Sequence, residues 1–171
     1  MVIEPRVFDD DRGYFFESHN KRSFQKAGIE MDFVQDNQSR SKRGVIRGLH
    51  FQNPPFAQTK LVRVLSGTIQ DVVVDLRKTQ PTFGKNYSIE LSSDNQKQLL
   101  VPKGFAHGFM VLSEVADVLY KCDEYYHPKS ESGILYNDRE LGISWQLDTE
   151  LHTLSSKDLL LPSFRSIEPF A

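Results

Sequence analysis

The feature that most constrains this chain is its rhythm of short apolar stretches separated by glycine and proline turns. Lys60-Leu61-Val62-Arg63-Val64-Leu65 alternates and stops at Ser66-Gly67. Thr68 to Leu76 follows and carries the strongest strand signal in the sequence. Pro81-Thr82-Phe83-Gly84 is a turn, Tyr87 to Leu91 alternates again, and Gln98 to Pro102 runs into a turn carrying Gly104. Gly108 to Leu112 and Ala116 to Lys121 read as a further strand pair. Many short strands at even spacing predict an all-β sandwich or barrel. Upstream, Asp9 to Gly13 is a turn and Tyr14 to Glu17 a short strand. Lys21 to Ala27 reads as a brief helix ended by Gly28. Phe33 to Arg40 is a strand that turns polar, which makes it either a surface edge or a pocket wall. Ser155 to Leu159 reads as a helix N-cap and first turn.

Composition narrows the classes. A chain of 171 residues is one large domain or two small ones, and 39% hydrophobic residues suffice for a sizeable core. Twelve Phe and six Tyr suit an aromatic-rich β interior. A net charge of -2 leaves no basic footprint for nucleic acid. Cys122 stands alone, which excludes an intramolecular disulfide and a cysteine-based metal site. No apolar run is long enough to span a bilayer, and Met1 to Arg6 lacks the apolar core of a signal peptide, so a cytoplasmic protein is expected.

Chemistry concentrates in Arg47-Gly48-Leu49-His50-Phe51-Gln52 and in Lys60 beyond it. In a strand, His50 points one way and Leu49 and Phe51 the other. Arg47 lies at an odd offset and shares the face of His50 only if a bulge or bend intervenes, which Gly48 could supply. Taken alone, His50 also suits a core histidine. Pro102-Lys103-Gly104-Phe105-Ala106-His107 has the Pro-x-Gly-x-x-His pattern of the second cupin motif. The first cupin motif brings His-x-His and a Glu, whereas this chain offers only His50 at that place. Its histidines at 19, 50, 107, 127 and 152 assemble no three-ligand set, so no metal is expected.

Five stretches carry a family resemblance: Phe33 to Asn37, Arg47 to Gln52, Lys60 to Arg63, Pro102 to Gly108 and Tyr120-Lys121. With Tyr125-Tyr126, Pro128, Glu131 and Ser156-Lys157-Asp158, they fall in the order seen in dTDP-4-dehydrorhamnose 3,5-epimerases, which the chain resembles over nearly its whole length. The resemblance implies one cupin-type jelly roll over residues 1–171: two antiparallel sheets with a few short helices at the C-terminal end. It also implies epimerisation at C3 and C5 of a dTDP-4-keto-6-deoxy sugar. A C–H bond beside a ketone is acidic because its electrons delocalise onto oxygen, and a neutral histidine is a suitable base near pH 7. His50 matches the family's base, Asp158 the carboxylate that orients it, Tyr120 the proton donor on the opposite face, and Lys60 the cation beside the C4 oxygen. No cofactor is implied, since the substrate's own carbonyl takes up the electrons.

Other roles follow from the same match. Arg12, Arg47 and Lys157 match positions that contact the phosphates or the nearby sugar. Phe15, Glu17, Gln35, Asn37 and Glu131 match positions around nucleotide and sugar, Tyr125 and Tyr126 the sugar–phosphate or base region, and His107 a second pocket histidine. Phe15 also suits plain core packing, and Arg12 a turn charge beside Asp9 to Asp11. The N-terminal segment of the family crosses to a partner subunit, so a homodimer with a shared site is implied, with no nucleic-acid or membrane partner. The chain departs from the family pattern at Gln38, where a His is usual, at Thr59, where a Gly is usual, and at Tyr136-Asn137-Asp138, where the family has Trp-Asn-Asp. A short leading strand is expected to be missing or shortened. Three alternatives stay open: an enzyme that inverts C3 alone or C5 alone, a sugar-nucleotide-binding jelly roll without activity, and a metal-dependent cupin.

Overall fold

The computed structural model describes residues 1–170. In chain order the strands and helices are β1 (Val2–Ile3), β2 (Phe8–Asp10), β3 (Gly13–Phe15), α1 (Lys21–Lys26), β4 (Gln35–Lys42), β5 (Ile46–Gln52), β6 (Lys60–Ser66) and β7 (Thr68–Asp75). There follow β8 (Asn86–Ser92), β9 (Gln98–Val101), β10 (Phe105–Val111), β11 (Val115–Cys122), β12 (Glu131–Gly133) and α2 (Ser156–Leu159). One five-stranded sheet has the order β1-β9-β6-β11-β4 and the other β12-β5-β10-β7-β8, while β2 and β3 form a separate hairpin. Every pairing within these sheets is antiparallel. This is the two-sheet jelly roll that the strand rhythm and the family resemblance predicted. The short leading strand is present as β1, two residues long, on the edge of β9.

The two sheets enclose one apolar cluster that includes Val62, Val64, Ile69, Val73, Leu91, Leu99, Phe109 and Val118. A second cluster covers the outer face of the β12-β5-β10-β7-β8 sheet. There Leu49, Phe51, Val72, Val74 and Leu76 pack under Ile143, Trp145, Phe164 and Phe170 of the C-terminal tail. Strand β7 is therefore buried on both faces, and its valines at 72, 73 and 74 serve both clusters in turn. The same alternation sends Leu49 and Phe51 outward to the tail and leaves His50 on the inner face.

Strand β4 answers the question left open by its polar sequence. Its burial alternates, with Gln35, Asn37, Ser39 and Ser41 turned inward and Asp36, Gln38, Arg40 and Lys42 exposed. It is a pocket wall on one face and a solvated surface on the other. One expectation fails. β10 and β11 do not pair with each other: β10 lies between β5 and β7, and β11 lies between β6 and β4. The chain crosses from one sheet to the other between them, a step that the apolar pattern of either strand does not encode.

Candidate active site

His50 and Arg47 reach one cavity because β5 is irregular at Gly48. The register between β10 and β5 shifts between His107 and Phe109. Gly48 has φ +130, and a Cβ there would lie 2.5 Å from Gly108 Cα. Only glycine tolerates both the backbone conformation and that approach. The cavity, of about 450 Å³, is lined by Arg47, His50, Lys60, His107, Tyr120 and Asp158, among others.

His50 Nε2 lies 2.6 Å from Asp158 Oδ1, across 108 residues of sequence. Asp158 is buried and sits in α2, where its backbone N–H donates to the Ser155 hydroxyl at 3.1 Å. That bond is the N-cap the sequence predicted. Burial opposes ionisation of Asp158, but the hydrogen bond and charge of His50, with Ser155 and the Gly48 N–H, hold its carboxyl below the usual range. With the carboxylate ionised, His50 Nε2–H donates to it, and the other ring nitrogen keeps its lone pair.

Lys60, from β6, places Nζ 5.9 Å from the centre of the Tyr120 ring on β11. Burial lowers the pKa of the Lys60 ammonium, against the opposing pull of Cys122, Asp71 and Glu131. Burial raises the Tyr120 phenol above its ordinary value. A half-buried cation beside a neutral phenol suits a place where negative oxygen develops and a proton is delivered. Arg47 Nε donates to the Ser41 hydroxyl at 3.0 Å. His107 is fixed from below, with Nε2 2.9 Å from Asp71 Oδ2 and both side chains buried.

A second chamber of about 200 Å³ shares His50, Lys60 and Tyr120 with the first. Gln35, Asn37, Phe51, Gln52, Gln58, Tyr126 and Glu131 complete it. Its polar groups are joined to one another. Tyr126 N–H donates to Gln35 Oε1 at 2.9 Å, and Gln35 Nε2 donates to Asn37 Oδ1 at 3.0 Å. Asn37 Nδ2 donates to Cys122 Sγ at 3.6 Å. The Tyr126 hydroxyl donates to Glu131 Oε2 at 2.6 Å, and Lys157 Nζ lies 2.6 Å from the same oxygen. Burial works against ionisation of Glu131, yet Lys157 and Tyr126 hold its carboxyl below the usual range.

Of the residues expected at the site, the structure brings His50, Lys60, Tyr120, Asp158, Arg47, His107 and Lys157 to the first chamber, and Gln35, Asn37, Tyr126 and Glu131 to the second. It does not bring four others there. Arg12 and Phe15 line a separate depression on the β2–β3 hairpin, where Arg12 binds Asp10 and Phe15 is 67% exposed rather than packed in the core. Glu17 borders another hollow beside α1. Tyr125 is exposed and contributes its carbonyl, which accepts from Gln52 Nε2.

The sequence reading missed Asp71, Ser39 and Gln52. Asp71 had a signal, a carboxylate inside the strand with the strongest strand pattern, which needs a partner once buried. Gln52 fastens the neighbouring loop by donating to Phe56 O at 2.6 Å and accepting from His127 N–H at 2.7 Å. Among the described residues no three His, Cys, Asp or Glu side chains converge as a metal site. No helix among them is long and apolar enough to cross a membrane.

Comparison with known proteins places this geometry. The family model for dTDP-4-dehydrorhamnose 3,5-epimerase matches residues 1–166. The Salmonella typhimurium dTDP-4-dehydrorhamnose 3,5-epimerase is 51% identical over 163 residues, covering 95% of this chain and 88% of that protein. The crystal structure of the Bacillus anthracis enzyme of that name, with TDP and PPi bound, superimposes with a TM-score of 0.92 at 53% identity, covering 95% of this chain and 92% of that one. A Legionella pneumophila dTDP-6-deoxy-D-glucose-3,5-epimerase in complex with dTDP-4-keto-L-rhamnose gives a TM-score of 0.94 at 47% identity, covering 99% and 92%.

Proposed function

The chain belongs to the dTDP-4-dehydrorhamnose 3,5-epimerase family, and from that premise we propose how its own residues convert dTDP-4-dehydro-6-deoxyglucose into dTDP-4-dehydrorhamnose. His50 takes the proton from the carbon beside the C4 ketone. The C–H electron pair moves into the ring and onto the C4 oxygen as an enolate, next to the Lys60 ammonium. Asp158 holds the imidazole tautomer and stabilises the imidazolium that forms. Tyr120 returns a proton to the opposite face of the same carbon, which inverts it. Exchange with solvent resets both groups, and the sequence repeats at the other carbon. The substrate's ketone is the electron sink, so the proposal needs neither cofactor nor metal.

The single observation that carries this reading is the His50–Asp158 contact at 2.6 Å, in a cavity shared with Lys60 and Tyr120. In the proposal Arg47 and Lys157 meet the diphosphate, His107 helps hold the sugar, and Gln35, Asn37, Tyr125, Tyr126 and Glu131 surround the nucleotide. We also place the enzyme in the cytoplasm as a homodimer of single-domain subunits. Arg12, Phe15 and Glu17 then complete the cleft of the partner subunit. The exposure of Phe8, Tyr14 and Phe15 on the hairpin supports that, since such aromatic surface suits burial against another chain.

The test is NMR of the reaction with dTDP-4-keto-6-deoxyglucose in deuterated water. Deuterium at both C3 and C5, with inversion at each, is the expected result. Deuterium at one carbon alone would reduce the enzyme to a mono-epimerase, and deuterium at neither would refute the proposed chemistry.

A further inference from the structure

Lys157 lines the larger chamber and Glu131 the smaller, yet the two are in contact. Lys157 Nζ and the Tyr126 hydroxyl converge on Glu131 Oε2, each 2.6 Å from it. These side chains form a strap across the cleft that joins α2, β12 and the loop at residues 123–130. The strap is anchored at its far end. Tyr126 N–H, Gln35, Asn37 and Cys122 Sγ form an unbroken chain of hydrogen bonds running into β11.

We propose that Glu131 is an internal stand-in for the diphosphate of the substrate. Its carboxylate holds Lys157 and Tyr126 across the cleft in the free protein, and an incoming diphosphate takes Lys157 from it. This deepens the reading above and rests on it, since the ligand must span both chambers. A carboxylate and a phosphate offer an ammonium the same kind of oxygen acceptor. The Lys157 side chain is 60% exposed, so its pair with Glu131 is weak and open to replacement by a more highly charged anion. Glu131, only 20% exposed, stays on β12 and keeps Tyr126. The strap thus fixes Lys157 at the mouth before binding, which reduces the ordering cost, while discounting affinity for any anion that must displace Glu131.

The test is titration calorimetry at low salt, with inorganic pyrophosphate and with dTDP. It compares the wild type, Glu131→Gln, Lys157→Met and the double variant. Glu131→Gln is expected to bind pyrophosphate about three- to fivefold tighter than the wild type. In the Lys157→Met background that gain should vanish. Weaker or unchanged pyrophosphate binding by Glu131→Gln overturns the proposal. So does an equal gain with and without Lys157, which would make Glu131 a plain repulsive charge. If the wild type binds neither pyrophosphate nor dTDP, the reading of the cleft falls and this inference with it. If it binds both and only the comparison with the three variants fails, the cleft reading survives and the strap does not.

Discussion

Lys60 is the residue where the proposed chemistry and stability oppose each other most directly. Burial disfavours its ammonium form, so its pKa is lowered in the folded protein. The sign follows from proton binding. Between the lowered folded value and the ordinary lysine value of about 10.4, the unfolded chain holds more protons, so stability rises with pH in that window. Below the folded value the full cost of burying the charge is present. Lys60→Met should therefore be inactive yet more resistant to urea at pH 7, and its advantage over the wild type should shrink as pH rises toward 10. Urea melts at several pH values check this, and a variant less stable at pH 7 would show that Lys60 is not strained. Asp158 has the same sign in a lower window, between its lowered folded value and the unfolded carboxylate value, where the unfolded chain again holds more protons. Its lowered carboxyl contributes stability that is complete above the unfolded carboxylate value of about 3.9 and is lost as pH falls through the folded value.

At the scale of elements, the proposed catalytic carboxylate, Asp158, depends on one turn of helix. Ser155 caps α2 through the Asp158 N–H, and α2 aims Asp158 at His50. Ser155→Ala should lose about 1 kcal/mol of stability. It should also lower kcat more than it raises KM, because the cap orients the His50 partner and touches no substrate in the proposed mechanism. Equal kcat in the two proteins would detach the cap from catalysis. The elements also show what the sequence could reveal. Alternation around His50 was legible because Leu49 and Phe51 had to pack against apolar neighbours. The polar sequence of β4 left open whether the strand was a surface edge or a pocket wall, because all eight of its residues are polar and no apolar alternation marks the inward face. The separation of β10 from β11 was not, since a hairpin and a sheet-to-sheet crossover impose the same apolar pattern. Nor did spacing pair His50 with Asp158 across 108 residues; that pairing came through resemblance alone. Asp71 was overlooked because the strand pattern of β7 does not tell which of its two buried carboxylates, Asp71 and Asp75, meets a histidine.

The whole molecule brings the four proposed catalytic residues, His50, Lys60, Tyr120 and Asp158, to one cavity of a single chain. Arg12, Phe15 and Glu17 lie outside both chambers, on or beside an exposed aromatic hairpin. If they serve a partner's cleft, light scattering should give twice the chain mass of 19.7 kDa. Mixing an Arg12→Ala/Phe15→Ala protein with inactive His50→Ala should then restore activity, because one of the two sites in a mixed dimer carries neither lesion. A monomeric mass, or no restoration in freshly mixed and exchanged dimers, would contradict the shared site. The central claim is narrower: one imidazole removes hydrogen from carbon. It is tested by following deuterium uptake from solvent into dTDP-4-keto-6-deoxyglucose with His50→Ala. The account predicts that uptake at C3 and C5 falls by at least about a hundredfold while dTDP still binds. Uptake at the wild-type rate at either carbon would contradict it.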